Sequence, residues 1–308
     1  MDQIQFSKAI EGYTLYAQAR RLSIHTIADY HNTFHKFSNY LADDPPLVAI
    51  TANDVRNFFA SQHNLSKKTI RNYHTGLSAL WTWAVRERIA EQNIVREVIP
   101  PKEEDRVIVP FSEQDVKAML RMLDKSRSYT RQGKRECSNK LSTATRNRVI
   151  ILLLLDTGLR ATEICELRIT DVDLQNRHLT VFGKGAKERM LPFSAQTGQA
   201  IWRYLATRKD AHMNESLIST SDGRPLGRDD LRRLIAAIGD RANVKGAHPH
   251  RFRHTFAINY LRNGGNAFTL QMMLGHSTMD MVKKYLALAQ TDIEAAHRVA
   301  SPVANWRL

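Results

Sequence analysis

Two cysteines, Cys137 and Cys165, are too few for a disulfide framework or a four-cysteine zinc site. Long hydrophobic runs are missing too. The longest, residues 149–155, is seven residues set between Arg148 and Asp156. A membrane span needs about 20, so this run reads as a buried helix. The N-terminus is polar and helical in pattern, without the apolar stretch of a signal peptide. These absences point to a reduced, cytoplasmic setting and exclude secreted and membrane-anchored classes. Internal repeats, low-complexity tracts and coiled-coil heptads are absent as well. Acidic residues are scarce beside basic ones, 31 against 45, which leaves a net charge of +14 and a pI near 9.9.

Such a charge favours a polyanionic partner, nucleic acid ahead of a membrane surface. Its distribution sharpens the reading. Residues 1–105 hold 12 basic and 12 acidic side chains, and the remainder holds 33 against 19, so the whole excess lies beyond residue 105. A length of 308 residues with 43% hydrophobic content suits two soluble domains with ample cores.

The first third reads as helical. Ile27, Tyr30, Phe34, Phe37 and Leu41 recur every three or four residues, with Ser23 as N-cap. Asp43-Asp44-Pro45-Pro46 stops that helix. Thr51 caps a shorter one carrying Val55, Phe58 and Phe59. Ser66 opens a long one with Ile70, Tyr73, Leu77, Leu80, Trp81 and Ala84 on one face. Four such helices bury their stripes in a small bundle. Lys67, Lys68 and Arg71 cluster where the last of them begins, and helix N-terminal amides favour phosphate; they are candidate DNA contacts, with a solvated basic turn as the plainer alternative.

Prolines at 100, 101 and 110 around a charged centre mark residues 100–110 as a linker. The domains are therefore 1–99 and 111–308. In the second, Ser112 caps a helix through Leu123. Residues 125–148 carry eight basic side chains and one acidic, Glu136, and read either as a loop that orders on DNA or as an excursion of no consequence. Residues 168–172, 178–182 and 188–192 read as strands of a small antiparallel sheet, with a turn at 183–187. Residues 194–208, 228–241, 250–262, 268–273, 278–286 and 291–300 read as helices, the last ended by Ser301-Pro302.

Chemistry concentrates in five short strings: Thr157-Gly158-Leu159-Arg160, Gly183-Lys184-Gly185, His250-Arg251-Phe252-Arg253, Leu274-Gly275-His276 and, nine residues on, Tyr285. Two guanidinium groups, an amine, two imidazoles and a phenol suit a phosphodiester. Arginines hold non-bridging oxygens through bidentate hydrogen bonds. A phenol attacks phosphorus, and histidines and lysine move protons. Lys187 competes with Lys184, but the glycine setting favours the latter. His250 and His254 stand one helical turn apart, a spacing also used for zinc. No third ligand or general-base carboxylate accompanies them, so no metal is expected. Gly183-Lys184-Gly185 lacks the spacing of a nucleotide-binding loop, and no cofactor is expected. His248 has no assigned role. Arg228, Arg232, Arg233 and Arg251 are candidates for reading DNA.

These strings, in this order, resemble the tyrosine recombinase (phage integrase-like) family, with Glu163 three residues after Arg160 as in that family. The layout is most similar to its short Xer-type and transposon-type members. The resemblance covers nearly the whole chain, because residues 22–41 and 66–87 resemble helices of the family's N-terminal DNA-clamping domain. It implies a mainly α fold with a small antiparallel sheet: a helical core-binding (SAM-like) domain, then an α+β catalytic domain ending in an oligomerisation helix. It implies Tyr285 as nucleophile, Arg160 and Arg253 as oxyanion clamp, His250 as base, His276 as phosphate ligand, Lys184 as general acid and Glu163 as support. It also implies a site-specific recombinase on double-stranded DNA, working as a tetramer through a 3′-phosphotyrosyl intermediate and a Holliday junction, at the nucleoid, with accessory factors or a partner recombinase allowed. A topoisomerase-like nicking and rejoining enzyme, or an inert DNA-binding protein on the same scaffold, are the alternatives. Target site and biological process, whether chromosome-dimer resolution, transposition or phage integration, are not written in these residues.

Overall fold

The computed structural model describes residues 4–102, 109–124, 143–183, 188–208, 211–275, 278–289, 297 and 301–305. The chain divides into two compact units, Met1–Arg106 and Val107–Leu308, and the division falls inside the stretch read as the linker.

The first unit is built from α1 (Phe6–Ala19), α2 (Ile24–Leu41), α3 (Ala52–Ser61) and α4 (Lys67–Arg86). Their starts follow local chemistry. The hydroxyls of Ser23, Thr51 and Ser66 accept from the amides of Thr26, Asp54 and Thr69, and Asp54 returns a bond to Thr51, closing a capping box. The core is aromatic. Phe6, Phe34, Phe37, Phe58, Tyr73 and Trp81 are buried together, with the Phe37 and Phe58 rings 5.1 Å apart. Side chains of that size close a core around four short helices.

The second unit is centred on α6 (Ala144–Thr157). Residues 149–154 of this helix are buried on every side, which is why its sequence is apolar without amphipathic period. Around it lie α5 (Glu113–Arg121), α7 (Ala161–Glu166), α8 (Ala195–Leu205), α9 (Arg228–Arg241), α10 (Pro249–Arg262), α11 (Ala267–Leu274) and α12 (Asp280–Ala289). A three-stranded antiparallel sheet runs β1 (Val172–Asp173), β2 (His178–Phe182), β3 (Glu188–Pro192). Leu179 opposes Leu191 and Val181 opposes Arg189. A second apolar cluster joins α10, α11 and α12 through Phe256, Leu261, Leu270, Leu274, Val282 and Tyr285.

Two expectations need correction. Residues 168–172 are not a strand. The Asp171 carboxylate accepts the Arg168 amide at 2.7 Å and draws 169–171 into a 3₁₀ turn, so pairing begins only at Val172. The basic stretch is not a loop to residue 148. Helix α6 already starts at Ala144, with Arg148 against Asp124 at 3.3 Å; residues 125–142 lie outside the described residues. Pro302 opens a short helix, Pro302–Asn305, as suits a residue with no amide to satisfy. Apart from His297, the stretch 291–300 lies outside the described residues.

Candidate active site

Helix α6 ends on Gly158, whose φ of +64° is left-handed and accessible to glycine without strain. The chain reverses there and delivers Arg160 to the start of α7. Glu163, one turn in, is 5% exposed and accepts three hydrogen bonds: from the Arg160 amide at 2.7 Å, from Arg160 Nη1 at 2.8 Å and from Arg189 Nη2 at 2.8 Å. Burial pushes this carboxyl up, but the bonds from Arg189 and Arg160 outweigh it and hold it below the usual carboxylate range. Arg160 also donates through Nη2 to the Gly275 carbonyl at 3.1 Å.

Helix α10 starts on Pro249, with the His248 ring accepting the Arg251 amide at 3.2 Å. His248 thus acts as an N-cap. Arg253, one turn further, is 3% exposed. Its Nη1 and Nη2 donate to the carbonyls of Gly158 and Leu274, both at 2.7 Å. Burial and the nearby Arg160 pull its pKa down to about 10, which leaves it cationic at neutral pH. The ends of α6 and α11 therefore meet on one guanidinium.

Tyr285, on α12, is 1% exposed. Its hydroxyl lies 2.8 Å from Nδ1 of His254. Burial raises its pKa, while the charges of Arg253 and Arg160 act to lower it. The His254 ring is pushed down to about 4, first by burial and then by His250, His248 and Arg253, so it is neutral. His250 is exposed, and its ring stacks on His254 at 6.2 Å.

Four of the six expected catalytic residues, Arg160, His250, Arg253 and Tyr285, thus gather around α10, together with Glu163. Lys184 and His276 lie outside the described residues. Two participants escaped the sequence reading. Arg189 stands on the inward face of β3, 13% exposed, bonding Glu163 and the Met273 carbonyl. The signal was available: a cation at a core-facing position of an alternating strand demands a buried acceptor. His254 was weighed only as half of a zinc pair, and nothing in its spacing placed it against Tyr285.

Among the candidate DNA contacts, Lys67, Lys68 and Arg71 are exposed at the start of α4, and Arg228, Arg232 and Arg233 are exposed on α9. Arg233 pairs with Asp230 at 2.7 Å. Arg251 does not fit base reading. Its guanidinium lies 4.1 Å over the Phe111 ring and donates to the carbonyls of Val109 and Lys245, so it fastens the start of the second unit.

The profile of the phage integrase family matches residues 134–292, and that of the phage integrase N-terminal SAM-like domain matches residues 10–88. Tyrosine recombinase XerC of Staphylococcus saprophyticus subsp. saprophyticus is 27% identical over 292 residues, which is 93% of this chain and 94% of that protein. The crystal structure of XerA recombinase aligns with a TM-score of 0.52 at 26% identity, over 96% of this chain and 99% of that one. The Tn1549 transposon integrase in complex with transposon right end DNA aligns with a TM-score of 0.73 at 21% identity, over 94% and 98%. With its SAM-like helical unit, its α+β unit and an arginine–tyrosine site at the ends of three helices, this chain belongs to the phage integrase family, the tyrosine recombinases.

Proposed function

We propose that Tyr285 is the nucleophile of a site-specific DNA recombinase and that Arg160 and Arg253 receive the scissile phosphate. The observation that carries this is the Tyr285 hydroxyl tied to His254, the neighbour of Arg253 on α10, with Arg253 and Arg160 fixed by helix-end carbonyls and Glu163. Charge gathers on the non-bridging oxygens in the transition state, and fixed donors there need no reorganisation; losing one costs about 3 kcal/mol of barrier. The phenolic oxygen bonds to phosphorus as the bond to the 5′-oxygen breaks. His250 takes the phenol proton, Lys184 supplies one to the departing 5′-oxygen, and His276 joins the arginines on the phosphate. The 3′-phosphotyrosyl bond keeps the energy of the phosphodiester, so a 5′-hydroxyl of the partner strand reverses the step without ATP.

The partner is double-stranded DNA bearing a recombination site, contacted by the 1–99 and the 111–308 domains. Lys67, Lys68 and Arg71 lie along its phosphates, and Arg228, Arg232 and Arg233 are candidates for reading its bases. Four copies on two sites exchange strands through a Holliday junction, at the nucleoid. The test is covalent capture. Wild type yields an SDS-resistant protein–DNA adduct, and Tyr285→Phe binds DNA equally well but yields none. An adduct of normal yield from the Phe variant would mean another nucleophile.

A further inference from the structure

Among the described residues, the Tyr285 hydroxyl has a single hydrogen-bond partner, Nδ1 of His254 at 2.8 Å, and the two rings lie 5.6 Å apart at 55°. The phenol is protonated at neutral pH, so its O–H is the donor and Nδ1 the acceptor, with the ring proton on Nε2. A proton committed to an imidazole of α10 leaves the lone pairs of the phenolic oxygen for phosphorus. An O–H free to rotate would instead spend part of its time bonded to a phosphate oxygen, with its nucleophilic lobe turned away.

We propose that His254 is a positioning residue for the nucleophile, which sets the direction of the Tyr285 O–H bond and so the attack trajectory. This rests on the reading of Tyr285 as nucleophile. His254 is an orienter and not the base that keeps the proton. A ring held near 4 facing a phenol that burial pushes up makes complete transfer unfavourable. The groups acting on the ring are His250, His248 and Arg253 of its own helix, and Tyr285 of α12. The proton leaves the phenolic oxygen only as the bond to phosphorus forms and makes it acidic, and it then goes to His250, which is exposed on the same helix with its ring stacked on that of His254 at 6.2 Å.

Two substitutions separate orientation from base catalysis and from mere packing. In His254→Asn the side-chain amide oxygen occupies nearly the place of Nδ1 and accepts the O–H, yet it is no base. His254→Phe keeps the ring volume and removes the acceptor. The full-length protein is incubated with sheared genomic DNA of its source cell, and adducts are recovered by SDS–potassium precipitation over time. We expect His254→Phe to slow adduct formation by about 100-fold, the loss that comes from misplacing a reacting atom, with DNA affinity unchanged. His254→Asn should recover to within about threefold of wild type and follow its pH–rate profile from pH 6 to 8. A Phe variant at wild-type rate overturns the proposal in favour of packing. An Asn variant as slow as Phe overturns it in favour of base catalysis. If wild type itself forms no adduct, the nucleophile assignment fails first and the orientation proposal falls with it.

Discussion

Glu163→Gln tests the site where its geometry is densest. The carboxylate is 5% exposed and accepts from two arginines and one amide at 2.7–2.8 Å. Glutamine is isosteric, but one of its two terminal atoms becomes an NH₂ group facing a guanidinium, and the charge is gone. Charge-assisted hydrogen bonds contribute about 1.5–3 kcal/mol each, and removing one partner of a buried ion pair costs about 3–5. Because one carbonyl survives, about 3 kcal/mol is expected. For a unit of this size each kcal/mol moves Tm by about 2–4 °C, so the second unit should melt about 6–12 °C earlier at pH 7, measured by calorimetry. The sign with pH is set by the depressed carboxyl. Its contribution is fully present above the unfolded value near 4.3 and is lost as pH falls through the folded one. The gap between wild type and variant therefore closes in acid. Adduct formation should fall as well, since Arg160 loses its anchor. A variant within about 2 °C of wild type at pH 7 would refute the account of Glu163 as the carboxylate that holds both arginines.

His254 predicts a second pH effect of separate origin: between pH 7 and 5 the unfolded imidazole gains a proton that the folded one, held to about 4, refuses. Stability to urea should drop by about 2 kcal/mol over that interval and by much less in His254→Phe; equal slopes in both would sink the idea. Gly158→Ala places a methyl group against the Phe256 ring at a φ of +64°. Left-handed strain of about 1–2 kcal/mol and overpacking of about 1–3 should add to a loss above about 2 kcal/mol, and a calorimetric change below about 0.5 would contradict the geometry. Replacing Lys67, Lys68 and Arg71 by Ala should flatten the plot of log affinity against log salt by up to about 2.7; an unchanged slope would remove the start of α4 from the DNA interface.

The helix starts were legible because they depend on neighbours in sequence. Ser23, Thr51, Ser66, Ser112 and Ser194 each bond an amide three residues on, and that bond follows from the local string alone. Arg228–Arg241 was read to the residue for the same reason, with two acidic side chains in its first turn and a basic one in its last. What escaped depends on tertiary placement. The 3₁₀ turn at 169–171 looked like a strand because Ile169 and Thr170 are β-formers; the side chain of Asp171 overrides them locally, and a backbone bond from the Leu217 amide to the Leu167 carbonyl occupies the adjoining backbone. Arg251 looked like any other arginine of a DNA-binding helix, yet ring contact with Phe111, 140 residues earlier, decides its use. Arg189 and His254 likewise acquire roles only from partners far along the chain.

The glycines in the two motif strings have a reason that ties fold to chemistry. A buried guanidinium needs acceptors on several sides, and an α-helix leaves its last carbonyls without partners inside the helix. Here α6 and α11 both end in a left-handed glycine, Gly158 and Gly275, and those ends supply the acceptors: Gly158 and Leu274 to Arg253, Gly275 to Arg160. The negative ends of two helix dipoles thus hold two cations close together, against the burial and mutual repulsion that lower the pKa of Arg253. Neutral carbonyls place the guanidinium groups without cancelling their charge, whereas a second carboxylate in their place would. The arrangement retains a net positive field for a phosphodiester: Glu163, the one buried acid among the described residues, is shared by Arg160 and Arg189, and Arg253 is held by carbonyls in the bonds to Gly158 and Leu274. That surplus of charge is what the site offers an incoming phosphate, and it exists because a helix end with a glycine turn can bind a cation without neutralising it.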